Sequence, residues 1–404
     1  MKSGYSPEII VLLHVCAAEI SENKKLQLTH FLTQNQLNWD RLYTLANWHR
    51  LTPFLYQMLQ TIPETPESFL LKLRNDCQHS AIDTLLKQRE YHQVTELLSN
   101  QGIEHITYKG VYLAEHFYPT SSLRICGDID ILVATEDAPK AIRLLQSHQY
   151  HLNQLHTRFW RHNEYSLLDD LPEVSLFKPF VGMGSQFDID LHWSIVCFNK
   201  HYKSFKMSDF QAHPDFFAEL QVVLLVTHHG VTDLWQRIFY INDLYFLLND
   251  QTIDWTWLLQ KLQSYGLEKT FLVGLHWCQQ IWDLPLPPFV QALLNASDVR
   301  SIAGAYEKNW EVSHSMKDSN LVVTQLKFFT KAQTQVGKLV KIYFTFFTSR
   351  VFRASTFRFG EHLLYIPQEL GLITIFIRAT RSIYNFLLFN FSGSEANLAK
   401  EPGK

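Results

Sequence analysis

Apolar residues in the first hundred positions recur every three or four, as in Leu42, Leu45 and Ala46 and again in Leu51, Leu55, Met58 and Leu59. That spacing gives a helix one buried face. Pro53, Pro63 and Pro66 interrupt it, so the pattern predicts a bundle of several helices, the last running from Pro66 to Leu98. Between Gly102 and His192 the period changes. Five short β-type runs (IEHITYKG, DIDILVA, YHLNQLH, EVSLFKP and QFDIDLHW) are interspersed with two helical stretches, VYLAEHFY and EDAPKAIRLLQSHQ. This predicts an α+β unit built on a small mixed sheet, with VGMGS at 181–185 as the turn between the last two strands. After about Pro214 helical periodicity returns in four segments, with Asp254 placed as an N-cap and Gly230 and Gly266 as C-caps. The chain therefore divides into a helical region (1–100), an α+β core (101–200), a helical domain (201–320), a basic aromatic helical region (321–390) and a disordered tail (391–404).

Composition adds three constraints. A chain of 404 residues that is 46% hydrophobic and 14% aromatic can bury a sizeable core. The formal charge of -3 argues against a nucleic-acid-coated protein, yet residues 321–390 hold nine Lys/Arg against two Glu, a net of +7, leaving -10 elsewhere. Phe and Tyr interleave with those cations. The segment suits either a basic amphipathic layer on an anionic membrane or a helical layer packed over the domain with a solvated basic face. The five cysteines show no CxxC pair and no zinc spacing, so they read as reduced thiols. Glu8 and Glu19 flank the first apolar run, which is unlike a signal peptide, and no apolar run reaches the 18 or so residues of a transmembrane helix. The expected location is cytoplasmic, with peripheral contact at the inner membrane surface as the alternative for the basic segment.

The chemistry concentrates in RICGDIDILV. Asp128 and Asp130 are two apart on a predicted strand and share a face, where two carboxylates repel unless a cation joins them. Mg2+ or Mn2+ answers that need. In QFDIDLHW, Asp188, Asp190 and His192 also share a face, so a neighbouring second strand would add a third carboxylate, Asp190 or its rival Asp188. Upstream, Lys109 and Gly110 stand at a strand-to-helix turn where backbone N–H groups can meet phosphate. With Arg124 and Gly127 they make up a nucleotide-binding set. His228 and His229, followed by Asp233, invite a metal-hydrolase reading, but neighbouring helical residues point about 100° apart and no histidine follows at the spacing of a zinc helix. Trp235, Trp255, Trp257, Trp277 and Trp282 fall at apolar helical positions and read as core.

The order of strand, Lys-Gly, helix, Arg-x-x-Gly-Asp-x-Asp-x-Leu-Val and later Asp-Leu-His-Trp resembles the uncharacterised nucleotidyltransferase family of the DNA polymerase β-like superfamily. The resemblance covers roughly Trp39 to Trp257. It implies a small mixed sheet with flanking helices and transfer of a nucleoside monophosphate from an NTP, ATP included, to a hydroxyl of a small molecule, protein or nucleic acid, with release of pyrophosphate. By position Gly110 matches the phosphate-loop glycine, Asp128 and Asp130 the metal-binding pair and Asp190 the third carboxylate. Of two ions, one would be held by all three aspartates and the other by Asp128 and Asp130, with His192 beside them. Asp190 is also the candidate base. Lys-Gly stands where the wider superfamily more often has Gly-Ser or Gly-Gly. The competing function is a nucleotidyltransferase-fold module that binds a nucleotide or a partner protein without turnover.

Overall fold

The computed structural model describes residues 4–16, 21–153, 156–157, 160, 168, 171–179, 186–198, 203–296, 298–313, 318–333, 336–351, 355–359, 362–366 and 370–380. The N-terminal bundle consists of α1 (Pro7–Val15), α2 (Glu22–Gln34), α3 (Trp39–Trp48), α4 (Thr52–Leu59) and the long α5 (Glu67–Asn100). Side chains of Ser6, Ser21 and Asn38 accept backbone N–H groups at the starts of the first three, satisfying donors that the helix leaves open. Pro53 sits in the first turn of α4 and Pro66 caps α5. Both are positions where a missing N–H costs nothing.

All five expected strands form, as β1 (His105–Thr107), β2 (Ile129–Val133), β3 (His151–Leu152), β4 (Glu173–Pro179) and β5 (Gln186–His192). They make one mixed sheet in the order β1-β2-β5-β4-β3. The central pair β2–β5 is parallel, and the other three pairings are antiparallel. The turn expected at 181–185 lies outside the described residues. Two helices accompany the sheet, α6 (Gly110–His116) and α7 (Ala138–Ser147).

Strand alternation assigns the two faces of the sheet different work. Ile129, Ile131 and Val133 of β2 pack with Ile189 and Leu191 of β5 into a core that includes Val94 and Leu98 of α5 and Ala141, Ile142 and Leu145 of α7. Leu132, on the opposite face, belongs to a second and larger core shared with the N-terminal bundle and the C-terminal helices. Asp130 lies on that second face, so the acidic side of the sheet looks toward the helical domain.

That domain contains α8 (Phe217–Leu225), which runs into a π-helical segment (Val226–Thr232), then α9 (Ile238–Asp250), α10 (Trp255–Tyr265) and α11 (Glu268–Trp282). Asp254 caps α10, accepting the Trp257 N–H at 2.9 Å, and Gly266 ends it at φ 73°, both as expected. Gly230 is not a C-cap. It lies inside the π-helix, where a Cβ would stand 2.5 Å from Thr270 Cγ2 and 3.1 Å from the Trp235 ring, so close packing explains the glycine. Trp235 and Trp277 are fully enclosed in the core, and Trp282 is buried as well.

The region expected to be wholly helical beyond 320 contains helices Asp318–Lys331, Val336–Val351 and 371–380, but also a hairpin, Ser355–Phe359 with His362–Ile366. Helix Val336–Val351 buries Ile342 completely and leaves Val336, Val340, Phe344 and Phe347 exposed. The tail at 391–404 lies outside the described residues. Among the described residues no helix is long and apolar enough to cross a membrane.

One buried histidine ties the N-terminal bundle to the helical domain. His49 Nδ1 accepts the Ile238 N–H at 3.1 Å, and Nε2 stands 2.9 Å from the Trp310 carbonyl, which fits only the neutral ring protonated at Nε2. Burial, with a contribution from the charge of Arg237, lowers its pKa to about 4 despite the opposing Trp310 bond and Glu311 charge. The unfolded chain takes up this proton near pH 6.5 and the native state does not, so stability is complete above pH 6.5 and declines as pH falls toward 4. The loss from this group is on the order of 3 kcal/mol. Urea unfolding between pH 7 and 4.5 is expected to show a falling midpoint, with a shallower pH slope in His49→Gln. Equal slopes in the two proteins would contradict this role.

Candidate active site

In the parallel β2–β5 pair Asp130 lies directly across from Asp190, and Leu132 across from His192. Adjacent strands stand about 4.8 Å apart, and His192 follows Asp190 by one pleat on the same face. Asp130, Asp190 and His192 each offer a ligand atom, and these atoms all lie within 4.8 Å of one another. Asp188 shares their face, but its Oδ1 takes a 2.6 Å hydrogen bond from Gln186 Nε2, and it is not in that group.

Two cations answer the buried Asp130. Lys109 Nζ is 2.8 Å and His192 Nε2 is 3.3 Å from the same oxygen, Oδ1. Burial opposes the carboxylate charge, but Lys109 and His192 outweigh it and hold Asp130 below the ordinary carboxylate range. On its other side His192 meets Glu173, with Nδ1 2.7 Å from Oε2. Burial disfavours the imidazolium, yet the bonds to Asp130 and Glu173 push its pKa up to about 9. Asp190 is raised to about 6, by burial first and then by the charges of Asp130 and Asp128, against a 2.6 Å bond from Ser175 Oγ.

The turn that delivers Lys109 is strained. Lys109 has φ 56° and ψ -153°, a region that side chains occupy at a cost of about 1–3 kcal/mol unless the surroundings impose it. Gly110 follows at φ 35°, and a Cβ there would lie 2.8 Å from the Asp128 carbonyl. The need for glycine is thus met by the Asp128 backbone packing against it. Asp128 itself precedes the first residue of β2 and is half-buried. Its carboxylate lies outside the three-residue ligand group, although its charge acts on both Lys109 and Asp190.

Arg124, expected to meet phosphate, is turned into the protein. It is 5% exposed and donates through Nε and Nη2 to the two Asp243 oxygens at 2.8 and 2.7 Å, and through Nη1 to the Gly110 carbonyl at 2.9 Å. Tyr118 Oη and His229 Nε2 complete the Asp243 carboxylate at 2.5 and 3.0 Å. This buried knot ties α9 to the Lys109–Gly110 turn. Gly127 borders another guanidinium, with Arg50 Nη atoms 3.6 and 3.7 Å from where its Cβ would be.

Three partners in this region were not singled out in the sequence. Glu173 and Ser175 sit two apart on β4, a spacing visible in EVSLFKP, but their facing His192 and Asp190 depends on the β4–β5 register. Arg50 carried no signal. The His228, His229 and Asp233 group, set aside on α-helical spacing, also brings its ligand atoms within 4.8 Å of one another. Both histidines lie in the π-helix Val226–Thr232, with Asp233 just past its end; the wider turn changes the angle between neighbours, and such turns recur at functional sites.

A small mixed sheet with flanking helices and acidic residues paired across its central strands is consistent with a nucleotidyltransferase core. A family model described as uncharacterised nucleotidyltransferase matches residues 35–283, more than half of the chain, and the protein belongs to this family. No curated protein and no solved structure matched. The matched stretch runs from just before α3 to just past the end of α11, so it takes in part of the N-terminal bundle and the helical domain as well as the sheet.

The Arg124–Asp243 pair generates a stability prediction. Asp243→Asn leaves a buried guanidinium without its counter-charge, which costs roughly 3–5 kcal/mol. Denaturant unfolding should report a loss of that order. A variant as stable as the wild type would remove the knot from its structural role.

Proposed function

We propose that the protein transfers a nucleoside monophosphate from an NTP to a hydroxyl acceptor, releasing pyrophosphate, at the site centred on Asp130 and Asp190. The observation that carries this reading is the parallel register setting Asp130 across from Asp190, with His192 one pleat further on. The donor set suits a hard divalent cation, Mg2+ or Mn2+, with Asp130 and Asp190 as its holders, His192 joining only on loss of its Nε2 proton, and Asp128, whose charge acts on Asp190 and Lys109, as the further carboxylate of the proposal. Carboxylates outnumber cations here: Asp128, Asp130, Asp190 and Glu173 stand against Lys109 and His192. A bound cation supplies Lewis-acid polarisation of the phosphoryl group and a lowered pKa for the attacking hydroxyl. Two such ions, the second shared by Asp128 and Asp130, complete the proposal.

The protein's own groups have separate tasks. Lys109 keeps Asp130 ionised and brings a positive charge to the edge where a triphosphate's charge accumulates. Glu173 fixes the His192 ring and supports its protonated form. Asp190, the one aspartate of the site raised toward neutrality, is the group best placed to take the acceptor's proton. Gly110 lets the Asp128 backbone and the Asp130 carboxylate approach the turn closely.

A second reading, a module that binds a nucleotide or a partner protein without turnover, is favoured by one observation: Lys109 and His192 already answer Asp130. Purified protein incubated with Mg2+ or Mn2+, each α-labelled NTP and a panel of hydroxyl acceptors separates the two. Transfer of label is expected in the wild type, with a drop of about 100-fold or more in Asp130→Asn and Asp190→Asn and little change in Asp188→Asn. Nucleotide binding without any transfer would favour the second reading. Equal transfer in all four proteins would remove this site from the reaction.

We further propose a cytoplasmic protein that touches an anionic membrane through helix Val336–Val351. Support comes from the exposed Val336, Val340, Phe344 and Phe347 beside Lys338 and Lys341, a mixture that binds lipid surfaces by combined burial and charge. The five cysteines are unpaired, as a reducing compartment requires. Phe344→Ser with Phe347→Ser is expected to release the protein from phosphatidylserine vesicles in a sedimentation assay. Undiminished binding would exclude this helix as the contact.

A further inference from the structure

Among the described residues two guanidinium groups near the acidic site, Arg50 and Arg237, have no carboxylate within ion-pair distance. Arg50, just past the end of α3, has φ 54°, a left-handed conformation that a residue with a side chain adopts only when its surroundings impose it. Its guanidinium lies over the Phe239 ring, 5.1 Å from the centroid, and its Nη atoms lie against Gly127, next to Asp128. Arg237, immediately before α9, stacks 4.0 Å from the centroid of Trp48.

The contrast with neighbouring arginines is informative. Arg41 is held by Glu8 and Glu311, and Arg124 by Asp243. Among the described residues neither Arg50 nor Arg237 enters an ion pair or donates a side-chain hydrogen bond, and both are half-buried. Arg124 lies 6.0 Å from the same Phe239 ring, so two arginines flank one ring while Arg237 lies on Trp48, and among the described residues Asp243 is the only ion-pair partner of the three. Burial, then the charges of Arg237 and Arg124, act against the charge of Arg50, with Tyr240 and Asp128 in its favour. Holding like charges together on a half-buried surface is unfavourable unless an anion completes the arrangement. Planar guanidinium forks held on aromatic faces are suited to phosphate oxygens.

We propose that Arg50 and Arg237 form an anion subsite across Gly127 from Asp128 and that it receives a polyphosphate chain. Its use for the distal phosphates of an NTP rests on the nucleotidyltransferase reading; polyphosphate recognition itself does not. A Cβ at Gly127 would meet only the Arg50 Nη atoms, at the contact distances of 3.6 and 3.7 Å, so the Arg50 fork borders the start of β2 directly. The subsite also gives the N-terminal bundle a part in binding, because Arg50 comes from the α3–α4 junction.

Isothermal titration of the full chain with tripolyphosphate, ATP, AMP and adenosine tests this, using wild type, Arg50→Gln, Arg50→Lys and Arg237→Gln. Each Gln variant is expected to weaken tripolyphosphate and ATP by about 10-fold or more, with adenosine unaffected. Arg50→Lys should be intermediate, since it keeps the charge and loses the fork. If AMP weakens as strongly as ATP, the subsite reads a single phosphate and the chain-length assignment fails. Wild type that binds neither tripolyphosphate nor ATP, or variants that bind both as the wild type does, would overturn the subsite. Arginine-dependent tripolyphosphate binding without any nucleotidyl transfer would leave the subsite standing and remove the nucleotidyltransferase reading. Transfer with an unchanged KM for NTP in the Gln variants would do the reverse.

Discussion

The bidentate pair between Arg124 and Asp243 is the interaction on which the arrangement of the site depends. It is formed between residues 119 positions apart and joins the loop before β2 to helix α9. A buried ion pair gains little over apolar packing unless its remaining hydrogen bonds are satisfied. Here they are, by Tyr118, His229 and the Gly110 carbonyl. Because the pair also grips Gly110, the strained Lys109 conformation is held from both the sheet side and the helical side. Lys109 in turn reaches Asp130. The helical domain is therefore part of the machinery that places the charges, not a separate appendage.

The second organising feature is the difference between the two aspartates that face each other on β2 and β5. Asp130 is buried, carries two cationic partners and stays ionised. Asp190 is more accessible than Asp130, is bonded by the neutral Ser175 and is pushed toward neutrality by its partial burial and then by its acidic neighbours. One register thus yields one carboxylate fixed as an anion and one able to exchange a proton or gain a cation, a division of labour set by environment and not by residue type. Glu173 extends the chain of charge through His192. Removing either partner would leave the imidazolium with one support.

How much of this was legible in the sequence follows from which interactions are local. Period-two alternation placed Asp130, Asp190 and His192 on shared faces and Ile129, Ile131 and Ile189 on the core face, because strand geometry leaves no other choice. Caps at Asp254 and Gly266 are equally local. Asp128 was read into the strand, yet β2 begins one residue later, at a boundary that propensity does not define sharply. Arg124 was assigned to phosphate because its partner Asp243 is distant in sequence. Gly230 was assigned to a helix end because the tight approach of Thr270 and Trp235 is tertiary. For His228 and His229 the sequence suggests α-helical angles, which do not apply in a π-helix. The paired strands Ser355–Phe359 and His362–Ile366 fall in a stretch whose pattern predicts helix, although Thr356 and Arg358 alternate there with Phe357 and Phe359.

Metal binding at Asp130 and Asp190 is what the proposed reaction needs first. Electron paramagnetic resonance of a Mn2+ titration tests it without reference to any acceptor. A specific site is expected in the wild type and in Asp188→Asn and is expected to disappear in Asp130→Asn and Asp190→Asn. Identical Mn2+ binding in all four proteins would contradict the account.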